Sequence, residues 1–530
     1  MNVNSYSLRD IERNWDLVVI GGGITGAGIF LEASKRGLKT ILLEQKDFAW
    51  GTSSRSSKLI HGGLRYLKQG RFDLTYASVK EREFLVKDAT GLIEYLPFIM
   101  PVYSIKDKLM LKVGLGAYSF MAGKKQHRYY NNKELIKKIP TINTKGLVGG
   151  FQFLDARVDD ARLTLRAIFE AIQYGGLALN YTKVKEIIRN NKGVVTGVTA
   201  VDTENGDSVL INTKAVINAA GVWSETLHKS PFKKVHIRPL RGSHIVFPYN
   251  LFPIEHAISF VHPDDRRPVF LIPWEGVTIY GTTDVDHSAT DLMEEPHMSL
   301  EEFNYLIKGL KEYFPNINIG FNDCISTFSG VRPVLSKGGK KDPSKESRDD
   351  IIFEDRGLVT ITGGKLTIFR KLACDALKAA KGYLPGLKDV SKKGHIFKNI
   401  DNIIKEYPNI NSEKLKIIFG RYSDGAKKII EESNKDQLEY IPGTKTLWGE
   451  LPYIAKNEQV RHLEDILLRR VRIGNQLPEG GKRYLDKIYS LCSTSLNWDK
   501  TKWEEEKRSY INLWNRCYSL PRDEKQSEED

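Results

Sequence analysis

The pattern of apolar and polar residues near the N-terminus predicts a strand, a helix and a second strand. The apolar run LVVI at 17–20 is suited to a buried parallel strand, and the spacing of apolar residues over 24–36 predicts a helix that ends at Gly37. Residues 40–43 form a second apolar run, typical of the next strand. This order predicts an α/β fold with a parallel sheet.

The turn between the first strand and the helix carries glycines spaced as in a dinucleotide-binding loop. Gly21 suits the tight turn, Gly23 lets backbone approach a pyrophosphate, and Gly26 allows the helix to pack closely on the strand. The helix N-terminus would point at the pyrophosphate, and Glu44 is placed to accept hydrogen bonds from a ribose. The chain is therefore predicted to bind an adenine dinucleotide, with NAD and FAD both open at this point.

A loop dense in hydroxyl groups follows and leads into a Gly-Gly turn. The segment GTSSRSSK at 51–58 can wrap a pyrophosphate and ribityl chain with small donors, and a flexible serine loop is the alternative. At the turn itself, backbone can lie close to a flat ring. The candidate cofactor contacts here are Thr52, Ser53, Ser54, Ser57, Lys58, His61 and Gly62.

Two later segments also have the character of cofactor-binding pieces. An apolar strand over 215–224 ends in small residues that let backbone pack against a dinucleotide, although a buried turn would look the same. Over 357–370 a strand, a Gly-Gly turn and a helix place free amides and Lys365 where they suit an anionic flavin edge, and a plain strand-to-helix turn is the alternative. The candidates are Ala220, Gly221, Trp223, Gly363, Gly364, Leu366 and Thr367. Three separated pieces without a second GxGxxG favour FAD over NAD.

The region between these pieces is predicted to bind the substrate. Residues 235–247 are predicted as strand, turn and strand, and residues 269–284 as an antiparallel hairpin. Residues 326–333 are predicted as a loop that carries Arg332. A lone histidine in a strand is usually structural and a lone arginine usually solvated, but His244 and Arg332 stay candidates because they adjoin the cofactor segments.

Composition narrows the class of protein. Lysine and arginine exceed aspartate and glutamate by 80 − 66 = 14, which suits an anionic substrate, an anionic membrane or nucleic acid. The four cysteines show no metal-ligand spacing, so no metal site is predicted. The N-terminus lacks the pattern of a signal peptide, and no apolar run approaches the ~18 residues of a spanning helix. We expect two or three domains in a protein that is soluble or peripherally attached to a membrane.

Lysine-rich sequence with helical periodicity begins near Gly386 and predicts a compact helical domain. The helices are predicted at 402–407, 412–419, 425–432, 457–472 and 482–491. The acidic tail 522–530 is predicted to be disordered. We find no catalytic constellation in this region, so a structural cap is the simplest interpretation and a docking or dimer surface the alternative.

Together these motifs resemble the FAD-dependent glycerol-3-phosphate dehydrogenase family, a branch of the D-amino-acid-oxidase-like flavoproteins. The segments that carry the resemblance are GGGITGAG, TSSRSSKLIHGGLRYL, VDDARL, NAAGVW, RGSHIV, PWEGVTIYGTTD, SGVRP and GGKLTIFRKLA. They occur in order from residue 16 to about 373, and a weaker match continues at 462–472.

The resemblance implies a Rossmann-like FAD-binding domain, an antiparallel β substrate domain and a C-terminal helical domain. The oxidoreductase region is expected at 1–384, with FAD-binding pieces near 14–100, 150–225 and 325–384 and substrate pieces near 101–149 and 226–324. The helical domain is expected at 385–521.

The resemblance also implies a reaction, namely oxidation of sn-glycerol 3-phosphate to dihydroxyacetone phosphate, with hydride transfer from C2 to flavin N5 and electrons passing to membrane quinone. His244 is the candidate base, and Arg332 and Lys365 are further candidate catalytic residues. The candidate substrate contacts are Arg65, Tyr66, Arg332, Arg348 and Lys365. Whether FAD is attached covalently stays open, because His61 adjoins the cofactor loop.

Residues 105–128 mix apolar side chains with lysines and are predicted to attach the protein to an anionic membrane. The alternative is an ordinary packed helix with a basic end. The resemblance to this family implies a cytoplasmic protein attached to the inner face of the cytoplasmic membrane, and it leaves a homodimer open.

Two alternative functions remain. One is an oxidase of the same family that reduces oxygen to peroxide, and the other is an FAD-containing RNA-modifying or RNA-binding protein. The second would need a basic surface with aromatic residues, for which we find no motif, so no nucleic-acid partner is expected.

Overall fold

The computed structural model describes residues 8–64, 67, 70–123, 126–228, 236–336, 350–388, 390 and 394–521. The strands are β1 Asn14–Ile20, β2 Thr40–Leu43, β3 Leu59–Ile60, β4 Ile93–Val102, β5 His127–Asn131, β6 Gly149–Val158, β7 Leu177–Leu179, β8 Thr182–Arg189, β9 Val195–Asp202, β10 Ser208–Asn218, β11 His236–Pro248, β12 Ala257–Val261, β13 Pro268–Trp274, β14 Val277–Gly281, β15 Val285–Asp286, β16 Ser326–Ser336, β17 Asp350–Asp355 and β18 Leu358–Gly363. The α-helices are α1 Ile24–Lys35, α2 Phe72–Asp88, α3 Ile105–Ala122, α4 Asn132–Lys138, α5 Asp160–Gln173, α6 Ser224–Leu227, α7 Leu300–Tyr313, α8 Phe369–Ala380, α9 Asp401–Ile404, α10 Ser412–Tyr422, α11 Gly425–Glu432, α12 Glu450–Asn457, α13 Ile473–Gln476, α14 Leu485–Leu496 and α15 Lys500–Cys517.

The first sheet is the parallel sheet that the N-terminal pattern predicts. Its strands run in the order β17, β18, β10, β1, β2, β7, with β9 and β8 added antiparallel beside β10. Strands β18, β10, β1, β2 and β7 are parallel neighbours. Helices α1, α5 and α8 pack together on this sheet and bury one apolar core with it. Strands β2, β1 and β10 are parallel neighbours, so their carboxyl ends lie at the same edge of the sheet. The loop that follows β1 therefore lies at this edge, between the ends of β2 and β10.

The second sheet is mainly antiparallel. Its strands run in the order β15, β11, β14, β13, β12, β4, β6, β3, while β16 pairs with β11 and β5 with β6. The β13–β14 hairpin turns at Glu275 and Gly276, whose φ angles of 48° and 92° suit a tight two-residue turn. Helix α7 covers this sheet with buried apolar side chains. The predicted fold class, an α/β protein with a Rossmann-like FAD domain, an antiparallel sheet and a helical region, is confirmed.

Two local predictions in this sheet are wrong. Residues 236–248 form one continuous strand, because β11 pairs with β16 from His236 opposite Ser336 to Val246 opposite Ser326. Arg332 therefore lies on a strand and not on a loop. A Cβ at Gly242 would approach a guanidinium nitrogen of Arg332 to 2.2 Å, so this glycine makes room for the arginine rather than forming a turn.

The two sheets interleave along the chain more finely than the predicted domain pieces do. Strands β3, β4 and β6 belong to the second sheet, although they fall mostly within the segments 14–100 and 150–225 that were assigned to FAD binding. The same holds for β16, which falls within 325–384. The chain thus crosses between the sheets several times before β18.

The C-terminal region is helical, with differences from the predicted pattern. The predicted helix 457–472 is wrong: α12 ends at Asn457, a turn follows, and residues Asp465–Arg470 form a π-helix. The longest helix of the region, α15, was not predicted. Trp503 and Tyr510 of α15 are buried in the helical core. Within the described part of the chain, no helix combines the length and apolar character needed to span a bilayer.

Candidate functional site

The glycine turn after β1 leaves space at the carboxyl edge of the first sheet. Gly21 has a φ of 105°, and Gly23 begins α1. A Cβ at Gly26 would lie 1.9 Å from the Gly21 carbonyl oxygen, so only glycine allows α1 to pack this closely on the turn. Gly21 and Gly23 line a cavity of about 1520 Å³, whereas Gly26 lies behind it as a packing residue.

Glu44 lines the same cavity but its carboxylate is already engaged. Gly22 donates its backbone N–H to one carboxylate oxygen at 2.6 Å, and Lys46 donates to the other at 2.9 Å. Burial raises the pKa of Glu44, although these amides oppose that rise. The carboxylate retains acceptor capacity for a ribose, since each oxygen can accept more than one hydrogen bond.

The hydroxyl loop divides into residues that face the cavity and residues that hold the loop in place. Thr52, Ser53 and Ser57 line the cavity, and Ser53 Oγ accepts the Ile24 N–H at 2.9 Å. Ser54 does not line it. The ammonium of Lys58 is buried, lies 2.8 Å from Asp160 and donates to the Ser54 carbonyl, so it points away from the cavity. Lys58 therefore stabilises the loop where we predicted a cofactor contact.

The Gly62 turn is fixed by a buried carboxylate that the sequence did not single out. Asp155 accepts the Gly62 N–H at 2.8 Å, and it also accepts from Arg82 at 2.7 Å and from Tyr118 at 2.8 Å. His61 lines the cavity with Nδ1 3.5 Å from Asp155. Burial opposes ionisation of Asp155, but the hydrogen bond from His61 and the charge of Arg82 outweigh it and lower its pKa. Gly62 itself packs on Tyr118, behind the cavity wall.

The two later cofactor segments meet the first one across the cavity. Ala220, Gly221 and Trp223 line it after β10. Residues 363–367 line it after β18, and the Thr367 hydroxyl donates to the His61 carbonyl at 3.2 Å. A short 3₁₀ turn over Leu366–Ile368 comes before α8, so the free amides belong to that turn and not to the long helix.

The candidate base His244 and the candidate cation Arg332 lie on two paired strands of the second sheet, β11 and β16. Arg332 lines the cavity, with Nη1 2.9 Å from Asp284 and Nη2 donating to Thr282 Oγ1 at 2.9 Å. His244 is 1% exposed and lies behind the cavity wall, with Nε2 2.9 Å from Ser57 Oγ. Burial lowers the pKa of His244 well below its ordinary value, and the charges of Arg332 and Lys58 lower it further.

Three predicted substrate residues, Arg65, Tyr66 and Arg348, lie outside the described residues. Lys365 lines the cavity. Among the cavity residues that the sequence did not single out are Arg266 and Arg267, from the loop between β12 and β13. Arg267 shares Asp284 with Arg332, at 2.8 Å. Adjacent arginines between strands were the available signal, but it was indistinguishable from a solvated turn.

The cavity extends beyond this polar region toward helix α3. It passes His61, Phe98 and Phe270 and reaches α3. The α3 residues that line it are Asp107, Met110, Leu111, Val113, Gly114 and Ala117. One continuous space therefore connects the glycine turns of the first sheet with a surface helix.

Comparison with known proteins agrees with this architecture. The family described as FAD dependent oxidoreductase matches residues 16–368, and the family described as C-terminal domain of alpha-glycerophosphate oxidase matches 380–503. The chain belongs to the FAD dependent oxidoreductases. This confirms the predicted cofactor, FAD, and the resemblance on which the prediction rested.

Similar proteins extend over nearly the whole chain. An aerobic glycerol-3-phosphate dehydrogenase of Bacillus subtilis is 40% identical over 519 residues, which is 92% of each chain, and one of Staphylococcus aureus MRSA252 is 34% identical over 507 residues, 89% of this chain and 90% of the other. The solved glycerol-3-phosphate dehydrogenase of Bacillus halodurans, complexed with FAD, is 27% identical with a TM-score of 0.75 and 95% of each chain covered. The L-alpha-glycerophosphate oxidase of Mycoplasma pneumoniae, at 18% identity and a TM-score of 0.58, shares the fold and covers 73% of this chain and 99% of its own.

The residues present fit FAD. The indole Nε1 of Trp223 is buried at the cavity and finds no hydrogen-bond partner among the described residues, so a donor is left for a bound group. The glycine turns at Gly21 and Gly363–Gly364 bring bare backbone to the cavity, and Thr52 and Ser53 add hydroxyl groups. Glu44, Thr52, Ser53, Trp223 and residues 363–367 are thus suited to hold the cofactor.

Proposed function

We propose that this protein oxidises sn-glycerol 3-phosphate to dihydroxyacetone phosphate and passes the electrons to a membrane quinone. Its relatives of 40% and 34% identity bear the name aerobic glycerol-3-phosphate dehydrogenase. The main observation in this chain that supports the proposal is that cationic side chains line the cavity that is suited to hold FAD. Arg332 and Lys365 line the same cavity as Gly21 and Ser53, which suits a phosphorylated substrate.

The chemistry needs a hydride acceptor, a proton acceptor and cations for a phosphate dianion. When bound, FAD supplies the hydride acceptor, its N5, for the hydrogen on C2. Arg332 is suited to bind the phosphate or the developing ketone oxygen, because Asp284 and Thr282 fix the direction of its guanidinium. His244 is suited to take up the hydroxyl proton, since burial keeps its imidazole neutral.

The apolar extension of the cavity supports quinone as the electron acceptor. Between Phe98 and Phe270 and the α3 residues Met110, Val113 and Ala117, the cavity is lined mainly by carbon. A quinone head group that arrives from a bilayer is apolar and flat, and aromatic and aliphatic walls suit it. Molecular oxygen needs no passage of this size.

We also propose attachment to the cytoplasmic face of the membrane, and the exposed residues of α3 support the attachment. Ile105 is 78% exposed, Leu109 66%, Val113 70% and Phe120 88%. Two residues of α2, Phe72 and Tyr76, add further exposed aromatic surface at 57% and 52%. Lys106 and Lys112 are exposed on α3 itself and would meet anionic headgroups. A patch of this kind on a soluble protein normally marks an interaction site.

The proposed function is tested with the purified FAD-loaded enzyme. Anaerobic addition of glycerol 3-phosphate is expected to bleach the flavin absorbance, and a water-soluble quinone is expected to restore it much faster than oxygen does. Fast recovery with oxygen and peroxide release would make the protein an oxidase. Failure of glycerol 3-phosphate to bleach the flavin would contradict both activities. The hypothesis of an FAD-containing RNA-modifying or RNA-binding protein would then have to be tested.

A further inference from the structure

His244 cannot touch a molecule in the cavity directly. Its ring stacks on Phe328, with centroids 4.6 Å apart and planes 12° from parallel. Gly281 covers the ring closely as well, since a Cβ there would lie 2.6 Å from His244 Cδ2. With 1% of the residue exposed, a substrate in the cavity is separated from the imidazole by at least one side chain.

Ser57 is that side chain. Its Oγ lies 2.9 Å from His244 Nε2, and the residue lines the cavity. The other ring nitrogen, Nδ1, is buried and finds no hydrogen-bond partner among the described residues. The neighbouring Ser56 serves a different purpose, because its hydroxyl donates to Asp160 at 2.6 Å. The pair Ser57–His244 therefore leads from the cavity into the protein through one hydroxyl group.

Burial and the charges around His244 favour the neutral form of its imidazole. Arg332 on β16 and Lys58 on the hydroxyl loop are the charges that act on the imidazole, and they are paired with the carboxylates of Asp284 and Asp160, respectively. A neutral imidazole with a free Nε2 lone pair accepts the Ser57 O–H, which leaves the Ser57 oxygen pointing lone pairs toward the cavity.

We propose that Ser57 is a catalytic proton relay between the substrate hydroxyl and His244. The C2 hydroxyl of the substrate gives its proton to Ser57 Oγ while Ser57 passes its own proton to His244 Nε2. Bound FAD would accept the C2 hydrogen with its electron pair, so that the alcohol loses one proton and one hydride and becomes a ketone. After the product leaves, the proton returns through Ser57 to water in the cavity. The proposal rests on the proposed oxidation of glycerol 3-phosphate.

A double-mutant cycle tests the relay. Ser57→Ala, His244→Ala and the double variant are mixed anaerobically with glycerol 3-phosphate while flavin bleaching is followed. Each single change is expected to slow bleaching by about 10²-fold or more, because one proton path is lost. The double variant is expected to be no slower than the slower single variant, since both residues act in one step. Ser490→Ala, an exposed serine of α14, is the matched control and is expected to behave like the wild type.

The variants Ser57→Thr and Ser57→Val separate the contribution of the hydroxyl group from that of packing. Threonine and valine have nearly the same shape as each other, but only threonine has a hydroxyl group. The threonine variant is expected to keep most of the bleaching rate, and the valine variant is expected to lose it. In protein labelled with ¹⁵N-histidine, the His244 Nε2 signal is expected to shift in the valine variant and not in the threonine variant.

Three results would overturn the relay: Ser57→Ala bleaching at the wild-type rate, equal rates for the threonine and valine variants, or singles whose effects multiply in the double variant. FAD content and binding of dihydroxyacetone phosphate are measured for every variant. Wild-type enzyme that glycerol 3-phosphate does not bleach would instead contradict the proposed function, so the two failures are distinguishable.

Discussion

At the scale of single residues, the protonation state of a buried charged group is set by its specific partners. His462 lies between two carboxylates, with Nδ1 3.1 Å from Glu506 on α15 and Nε2 3.1 Å from Glu204. Burial alone would lower its pKa, but these carboxylates raise the pKa of His462 to about 10. The same pairing lowers the pKa of Glu506 to about 2. His462 thus carries a positive charge that fastens α15 to the turn after β9.

His462→Gln is expected to destabilise the protein in a pH-dependent manner. The folded-state pKa of about 10 is above the ordinary value of 6.5, so the ion pair contributes fully below pH 6.5 and its contribution is lost as the pH rises through 10. We expect the variant to lose about 1–2 kcal/mol of the free energy of unfolding near pH 6. Solvent screening limits this loss, because 31% of the His462 side chain is exposed. Thermal unfolding at pH 6 and near pH 10 measures it. His236→Gln, an exposed histidine, is the control, and a difference that persists undiminished at pH 10 would contradict the ion-pair account.

The sequence predicted the residues whose role is set by their immediate neighbours along the chain. Gly21 and Gly23 follow from the turn that they form, and they line the cavity. Lys58 was assigned to the cofactor because it ends a hydroxyl-rich loop. The direction of the Lys58 side chain depends on Asp160, a residue far away in sequence whose buried carboxylate pairs with the ammonium group. Local spacing carries no information about such a partner.

At the scale of elements, helix α3 presents apolar residues on both sides. Leu115 and Tyr118 are buried against the second sheet, while Ile105, Leu109 and Phe120 face solvent. A surface helix of a globular protein normally turns its apolar residues to the core and polar residues to solvent, so the apolar side chains on the exposed side of α3 are unusual. Its sequence pattern could not distinguish a packed helix from a membrane helix, because α3 has a packed side as well as an exposed one.

The exposed side of α3 is tested by replacing Ile105, Leu109 and Phe120 with serine. Because these residues would supply the apolar contact with the lipid, we expect the variant to lose binding to anionic liposomes in a flotation assay. Flavin bleaching by glycerol 3-phosphate is expected to stay within about 3-fold of the wild type, since none of the three lines the cavity. Leu210→Ser, at a leucine that is 52% exposed on the first sheet, is the matched control. Undiminished flotation of the triple variant would exclude α3 as the attachment site.

Strand β11 shows why element boundaries were harder to predict than element types. The glycine in its middle indicated a turn, yet the strand continues through it, because Gly242 stands opposite Gly330 in the pairing with β16. Both glycines leave room for arginines, Arg332 beside Gly242 and Arg55 beside Gly330. Gly242 makes room for the guanidinium of Arg332, and Gly330 makes room for the carbonyl oxygen and Cβ of Arg55. No local sequence pattern reports these approaches.

At the scale of the whole molecule, buried ion pairs join the helical domain to the cofactor domain. Asp47, on the segment before the hydroxyl loop, accepts hydrogen bonds from Arg469 and Arg470 of the π-helix. Arg162 of α5 forms a two-pronged pair with Glu458, at 2.8 and 2.9 Å. From the sequence, the arginines at 469–472 were taken as part of one ordinary helix. Their burial is visible only when the two domains are together.

Asp47→Asn is expected to destabilise the protein by about 3–5 kcal/mol, because two buried arginines lose their common carboxylate. Urea unfolding followed by circular dichroism gives the free energy, and the retained FAD is measured in parallel because the hydroxyl loop starts nearby. Asp286→Asn breaks the surface ion pair between Asp286 and Arg238 and is expected to cost less than about 1 kcal/mol. Equal losses in the two variants would show that the buried pairs do not hold the domains together.

The order of strands in the first sheet has a consequence for how the protein is made. The β1 turn leaves the ribosome early, but β10 and then β18 must be synthesised before the sheet is complete. The last wall of the flavin site, residues 363–367, begins at the final residue of β18. The complete flavin site therefore forms only late in synthesis, and until then the nascent chain carries unpaired strand edges, which are prone to aggregation.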